Sequence, residues 1–162
     1  MSDHGLTPSD PSQTATQDDV DRAVATVRRL AGWHVWPVRE ETITVDTPGD
    51  PLIILPTLRV EDVIDVTVEG QQVDMDTVSW SADGMITLQR APRGLRRVAV
   101  TLRHGFESAP DLAGVCLKMA ARSVQVQGSV SVGGISVGAT AGITPQSTEW
   151  RVLDMYKLGP EP

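Results

Sequence analysis

The side chains able to do chemistry are few, and they are scattered along the chain. The histidines and the single cysteine are His4, His34, His104 and Cys116. A histidine pair beside Asp46 or Asp111 would suit a metal site or acid–base catalysis. His34 and His104 stand at the two borders of a strand-rich region, so we interpret them as junction residues. We therefore predict no catalytic residue, no cofactor and no bound metal.

Sequence motifs give no support to an enzyme. The sequence has no P-loop, no H-E-x-x-H and no G-x-S-x-G pattern. The Gly-rich segment 128–142 carries no Lys or Arg to bind a phosphate. Cys116 alone excludes a disulfide or a cysteine-based zinc site within one chain, and we expect it to be reduced and buried.

The charged residues fall into blocks. The net charge is −7, and residues 40–76 hold ten acidic residues and one basic residue, whereas residues 90–103 hold five Arg and no acid. An acidic chain is poorly suited to wrapping duplex DNA, where affinity comes from neutralising phosphates. The two blocks are either solvated strand faces or surfaces that meet between copies of the chain. A further interpretation of the Arg block is contact with nucleic acid, which no recognition helix or zinc motif supports.

The candidate interface residues come from these charged blocks and from two glycines and two aromatic residues nearer the carboxyl end. They are Arg90, Arg93, Arg96, Arg97, Arg103, Asp62, Asp65, Gly133, Gly134, Trp150 and Tyr156.

Helical periodicity marks both ends of the chain. Apolar residues recur at helical spacing over 17–31, with Thr16 and Asp19 as a capping pair and Gly32 as the stop. A second helix is predicted to start at Pro110, where proline suits the first helical position. A last helix is predicted to open at Thr144-Pro145 and to end at Gly159-Pro160.

Between these helices the period changes to that of strands. Residues 36–103 contain about six or seven short apolar runs separated by turn signals, which is typical of a small antiparallel barrel or sandwich. Segment 128–142 alternates Val and Ile with small residues, so it is either a flexible loop or an extended β-arm.

The predicted fold class is α+β: a small helical bundle of about three helices with an inserted antiparallel β-barrel or sandwich-like subdomain. Residues 1–16 form a disordered acidic arm, and residues 17–35 and 104–162 form the helical core. The β-rich insert covers 36–103. No apolar run is long enough to span a membrane, and the start lacks the features of a signal peptide.

Several short segments resemble head-to-tail connector (adaptor) proteins of long-tailed bacteriophages, of the actinobacterial phage type. They are Ala31–Pro37, Arg93–Arg96, Val98–Phe106, Ala109–Ala113, Met119–Arg122 and Val152–Pro160. The resemblance covers roughly residues 17–160, and its specificity lies in the order of the segments.

The resemblance implies a structural virion protein of the neck, assembled in the host cytoplasm. Such adaptors form a ring, normally of twelve copies, that joins the portal protein to the next neck or tail protein. DNA crosses the ring during packaging and ejection as transient cargo, and no membrane is involved.

Three other functions stay open at the level of sequence. The chain could be another neck or tail-completion protein, such as a stopper or a tail terminator. It could be a small His/Asp-dependent enzyme, or a binding module derived from the host.

Overall fold

The computed structural model describes residues 2–8, 15–125, 130–132, 135–137 and 144–159. Its helices are α1 (Gln17–Ala31), α2 (Pro110–Gln125) and α3 (Ser147–Asp154). Its strands are β1 (Arg39–Thr47), β2 (Leu52–Ile54), β3 (Val60–Val68), β4 (Gln71–Gln72), β5 (Ser79–Trp80), β6 (Met85–Thr87), β7 (Gly94–His104), β8 (Val130–Val132) and β9 (Ile135–Val137). A 3-10 turn, Met75–Thr77, precedes β5. The chain divides into a helical unit with α1, α2 and α3, and a β unit over Trp33–Ser108.

Helix α1 begins and ends where its sequence predicts. The Thr16 side chain accepts from the backbone N–H of Asp19, and the Asp19 carboxylate accepts from the N–H of Thr16, which completes a capping box. Gly32 takes the left-handed conformation, with φ of 86°. The apolar stripe of α1 is buried in the helical unit, where the three helices contact one another. The prediction of a small helical bundle is confirmed.

The described part of the amino-terminal segment lies against α1. The carboxylate of Asp21 accepts hydrogen bonds from Ser2 and lies 3.0 Å from Nε2 of His4. Arg28 pairs with Asp3 at 2.9 Å. Residues 9–14 lie outside the described residues, so the flexibility of the whole arm stays a prediction.

The β unit contains two antiparallel sheets that share one hydrophobic core. The four-stranded sheet has the order β1-β7-β3-β4, and the three-stranded sheet has the order β2-β6-β5. Buried residues from both sheets, such as Val66, Val100, Ile53 and Ile86, belong to one cluster. Neither sheet closes on itself, so the insert takes the sandwich-like form and not that of a closed barrel.

Two β-bulges explain the uneven spacing of apolar residues in β3. The register against β7 shifts between Val60 and Asp62 and again between Val63 and Asp65. Each bulge adds one residue, so buried valines recur every three residues instead of every two.

The last helix is shorter than its sequence predicts. It begins at Ser147 and ends at Asp154, so Thr144 and Pro145 precede it and Gly159 lies beyond its end. The start is set by Glu149, whose carboxylate accepts from the backbone N–H of Gln146 at 2.8 Å. Within segment 128–142, β8 and β9 pair as an antiparallel hairpin.

Candidate assembly surfaces

The outer sheet face, which we define as the solvent side of β1, β7 and β3, gathers four of the candidate interface residues. Side chains alternate along β7, so Val98, Val100 and Leu102 enter the core and the residues between them face outward. The outward residues include Arg97 and Arg103. Asp62 stands opposite Arg103 in the register, and Asp65 stands opposite Thr101.

The arginines of this face have acidic partners within the chain. Arg97 pairs with Glu69 at 3.1 Å, and Arg103 pairs with Glu61 at 3.6 Å. Glu40 stands opposite Arg103 on the other side, in β1. The acidic block and the Arg block therefore meet partly inside one chain, which lowers the charge that this face offers to a neighbour.

The other three arginines lie in the connection before and at the start of β7. We call residues 90–96 the Arg loop. Arg90, Arg93 and Arg96 are exposed, and within the described part of the chain no carboxylate lies within 4 Å of their guanidinium groups. Leu95, between Arg93 and Arg96, is 77% exposed.

The backbone of the Arg loop is held in place although its side chains project. Arg96 has a positive φ of 52°, and its N–H donates to the Asp46 carboxylate at 2.7 Å. The register between β1 and β7 shifts at this point, between Val45 and Thr47. The Thr47 hydroxyl donates to the carbonyl of Pro92. A fixed backbone lets the loop present its side chains with little ordering cost.

The three-stranded sheet exposes apolar side chains on its outer side. Leu52, Ile54 and Met85 are exposed there, and Ile54 stands opposite Met85 in the register. We call these three residues the apolar face. Contiguous exposed apolar side chains mark interaction sites more often than single ones do.

Trp150 and Tyr156 are engaged inside the helical unit. The Tyr156 hydroxyl donates to the Asp111 carboxylate at 2.7 Å, and burial together with that negative charge raises the pKa of Tyr156 to about 12. The Lys157 ammonium lies 4.8 Å from the centre of the Trp150 ring. Both aromatic residues are half-buried, so each offers only part of its surface to a partner.

An ion pair ties α2 to α3. Arg122 donates to both oxygens of Glu149, at 2.6 and 2.7 Å. These hydrogen bonds hold the pKa of the Glu149 carboxyl below its usual value. The sequence gives no sign of this pair, because its members are 27 residues apart.

Gly133 and Gly134 lie outside the described residues. The flanking strands place Val130 opposite Val137 and Val132 opposite Ile135, with Ser131 opposite Ser136 between them.

Two of the three histidines come together in the β unit. The rings of His34 and His104 are 5.9 Å apart between centroids, and Trp33 lies next to His104. His104 Nδ1 lies 3.1 Å from the Thr57 hydroxyl, and its Nε2 lies 3.4 Å from Glu41. Burial lowers the pKa of His104, while Glu41 opposes that shift.

The arrangement around these histidines suits structure better than chemistry. Asp46 is engaged with the Arg loop and Asp111 with Tyr156, so neither is the carboxylate beside His104. Among the described residues, no three His, Cys, Asp or Glu side chains are grouped to hold a metal ion. Cys116 is buried, and burial raises the pKa of its thiol to about 12, where the reactive thiolate is scarce.

Sequence reasoning missed the apolar face and Leu95. The run Leu52–Leu55 reads as a fully apolar strand, yet only Ile53 and Leu55 of it are buried. The signal that could have found the apolar face is the alternation of side chains along a strand, because one side of each strand in a two-layer sandwich faces solvent.

Of the helices in the described ranges, none combines the length and apolar character needed to cross a membrane.

Comparisons with known proteins find likeness in structure and not in sequence. No protein-family model and no curated protein matches the chain. A chain in the neck of a native GTA particle, computed with C12 symmetry, matches with a TM-score of 0.61 and 15% identity over 90% of this chain and 85% of that one. A chain in the virion of a native gene transfer agent (GTA) particle matches with a TM-score of 0.62 and 13% identity, over 99% of this chain and 88% of that one. A chain in the neck of an empty GTA particle, computed with C6 symmetry, matches with a TM-score of 0.57 and 16% identity, over 90% of this chain and 80% of that one. The fold is therefore shared over nearly the whole chain.

Proposed function

We propose that the chain is a structural neck protein of a phage-like particle, and more narrowly a head-to-tail adaptor. In this role it forms a ring, of twelve copies, between the portal protein and the next neck or tail protein. The protein acts by its fit to neighbouring subunits and partners and turns over no substrate, and DNA passes through the ring during packaging and ejection.

The observation that carries the proposal is the likeness, over 90% or more of this chain, to two chains from the necks of GTA particles and to one chain of a GTA virion. The two necks were computed with C12 and C6 symmetry. A ring needs two different patches on each copy, related by a rotation that closes. The Arg loop, the outer sheet face and the apolar face are three unlike surfaces of the β unit, which meets this need.

The β8–β9 hairpin and α3 are the proposed portal-docking elements. An isolated two-stranded hairpin is marginally stable in water, so this one is expected to gain stability from a partner. Its alternating Val and Ile positions suit packing on, or adding strands to, a sheet edge of the portal.

The test is an electron micrograph of the purified chain, alone and mixed with the portal protein of the same genome. We expect rings stacked coaxially on the portal, with twelve-fold symmetry in class averages. A chain that stays monomeric beside an intact portal contradicts the proposal. Rings that bind a downstream neck protein but never the portal would instead indicate a stopper or a tail terminator.

A matched pair of variants tests the docking elements. Replacing Val132 and Ile135 by Ser should abolish portal binding and leave the helical content unchanged in circular dichroism. The control replaces Ser131 and Ser136 by Thr, which keeps polar residues at these two positions. Equal portal binding by both variants would remove the hairpin from the proposal.

A further inference from the structure

Two segments near the ends of the β unit, residues 33–37 and 104–106, pack against each other. The rings of Trp33 and Phe106 lie 6.0 Å apart between centroids. The backbone N–H of Phe106 donates to the carbonyl of Val35 at 2.8 Å. We call the two segments the β root, because the chain passes through them as it enters and leaves the strands.

A second backbone hydrogen bond holds the β root. The N–H of Gly105 donates to the carbonyl of Arg59, just before β3, at 2.9 Å. Gly105 has a φ of +109°, and a Cβ added there would lie 3.0 Å from the carbonyl oxygen of Pro37. The two segments therefore approach each other closely. We call this bond and that of Phe106 the root hydrogen bonds.

Two histidines are buried inside the β root. His34 is 6% exposed and His104 is 2% exposed, and their rings are 5.9 Å apart between centroids. A carbonyl oxygen only accepts, so His34 donates its Nε2–H to the carbonyl of Pro37. The closed root therefore keeps two basic rings out of water, and adding a charge to either ring there is costly.

The charged groups beside His104 compensate a proton only in part. Nε2 of His104 lies 3.4 Å from the carboxylate of Glu41, but Arg39 pairs with the same carboxylate. Arg39 also stands opposite His104 in the register, and its positive charge opposes a second one. On the other side β3 places Val60 opposite His104, and the Thr57 hydroxyl lies 3.1 Å from Nδ1. A proton on His104 therefore meets one shared carboxylate and one guanidinium group.

We propose that the β root is an acid-sensitive clamp, closed while His34 and His104 are both neutral and opened as they take up protons. Opening means loss of the two root hydrogen bonds and exposure of both rings, while the centre of β7 stays paired. In the closed root a charge on one ring lies close to the other and disfavours a second proton. In the open root each ring is in water and takes up its proton independently. The clamp is a property of the single chain and goes beyond the proposed ring.

The open root binds more protons than the closed root. Burial lowers the pKa of His104 below its ordinary value of 6.5 in the closed root. The stability of the closed root is therefore complete above pH 6.5 and is lost as the pH falls toward the lower closed value. A histidine in water has a pKa of about 6.5, so each ring raises the opening equilibrium about fivefold between pH 6.5 and 5.5, and two rings raise it about thirtyfold.

Amide hydrogen exchange of the full chain, followed by NMR, tests the clamp. The N–H groups of Gly105 and Phe106 report on the root, and the N–H of Val100 reports on the centre of β7. After correction for intrinsic exchange rates, we expect the root amides to be at least about tenfold less protected than Val100 at every pH, because the root opens by itself. Their protection should fall about thirtyfold between pH 6.5 and 5.5.

Single variants separate the contributions of the two rings. His34→Gln and His104→Gln should each reduce the fall in protection from about thirtyfold to about fivefold, and the double variant should abolish it. Each variant is compared with itself at two pH values, so a uniform loss of stability cancels. The matched control is His4→Gln, which removes the third histidine from its contact with Asp21 in the helical unit and should leave the fall unchanged.

Several results would overturn the clamp. Root amides as well protected as Val100 would show that the root opens only when the β unit unfolds. A full fall that persists in both single variants, or that disappears in His4→Gln, would assign the pH effect to other groups. A fall in the wild type that His104→Gln alone abolishes would remove His34 from the clamp. These measurements need no portal, so their failure leaves the proposed neck function intact.

Discussion

Glu149 is a charged residue that the helical unit buries, and its burial requires compensation. Its side chain is 7% exposed, and it accepts two hydrogen bonds from Arg122 and one from the backbone of Gln146. A buried carboxylate without such donors would be costly, because the charged form loses its hydration. The pair therefore fixes the position of α3 against α2.

Glu149→Gln should lower the free energy of unfolding by about 2 kcal/mol at pH 7, because the charge-assisted bonds to Arg122 are lost. Urea denaturation followed by far-ultraviolet circular dichroism, which reports on the helices, measures the change. The control is Asp154→Asn, which removes only an exposed pair with Lys157 and should cost less than about 0.5 kcal/mol. Equal losses in both variants would contradict the structural role of the Arg122–Glu149 pair.

The same substitution has a predicted pH dependence. The folded pKa of Glu149 lies below the ordinary value of 4.5, chiefly because Arg122 donates to it. Its contribution is therefore complete above that ordinary value and is lost as the pH falls through the lower folded value. The difference in stability between wild type and Glu149→Gln should be constant from pH 7 to 5 and should shrink below pH 4.5.

His104 gives a separate pH dependence in the β unit. Burial lowers its folded pKa below the ordinary value of 6.5, so below that pH the unfolded chain takes up the proton first. The stability that the neutral ring contributes is present above pH 6.5 and is lost as the pH falls toward the folded value. His104→Gln should therefore flatten the loss of stability between pH 7 and 5 in urea titrations. Parallel curves for wild type and variant would contradict the neutral buried ring.

At the scale of elements, the capping box of α1 is a contact between neighbours in sequence. Thr16→Ala removes the hydroxyl that pairs with Asp19 and should cost about 1 kcal/mol in the free energy of unfolding. Thr16→Ser keeps the hydroxyl and should cost much less. Thermal melts followed by far-ultraviolet circular dichroism compare the two variants, and an Ala variant as stable as the Ser variant would count against the cap.

The turn between β5 and β6 depends on a glycine for two reasons. Gly84 has a φ of +86°, and a Cβ added there would lie 2.5 Å from the carbonyl oxygen of Thr57. Gly70 has a φ of +79° and open space around its Cβ position. Gly70→Ala should therefore cost only the backbone strain, about 1 kcal/mol, whereas Gly84→Ala should cost about 3 kcal/mol because the backbone must also shift. If both variants lose the same free energy of unfolding in urea titrations, the Thr57 carbonyl moves away from the added Cβ without a measurable loss of stability.

The elements differ in how far the sequence predicts them. The bounds of α1 follow from local signals: a 3.6-residue period, a capping pair and a glycine stop. The bulges of β3 do not, because they are set by pairing with β7, which is distant in sequence. The predicted start of α3 is too early although its capping pair, Gln146 and Glu149, is local. The order of helices around a β insert is predicted; the pairing of Arg97 and Arg103 inside the chain is not.

The candidate site shows the same limit. Charge blocks in the sequence point to the Arg-rich segment, but only the sheet register separates Arg97 and Arg103, which pair internally, from Arg93 and Arg96, which have no carboxylate partner among the described residues. Leu95 lies within that segment, and its exposure follows from the shift in register at the start of β7. Local composition indicates where a charged surface lies in the sequence. Strand pairing decides which of its charged residues pair inside the chain and which can contact a partner.

At the scale of the whole molecule, net charge sets how the proposed ring would treat the DNA that crosses it. The chain carries a net charge of −7, and a ring of many copies multiplies that charge. Affinity for duplex DNA requires several phosphates to be neutralised at once and falls steeply with added salt. The basic residues of the outer sheet face are paired with acids, and the chain as a whole holds 21 acidic residues against 14 basic ones.

The purified chain should therefore leave duplex DNA unshifted in an electrophoretic mobility assay at 100 mM salt, both as free protein and as a ring on the portal. Repulsion by the acidic subunits outweighs the attraction of a few exposed arginines, and a passage that held phosphate would slow the DNA that crosses it. Free Arg93→Glu with Arg96→Glu protein should behave as wild type, because the acidic excess of the whole chain, and not these two arginines, decides the outcome. A shift by the wild-type chain that weakens as salt rises, and that the double variant abolishes, would show that the Arg loop binds phosphate and would reassign it from protein contact to DNA contact.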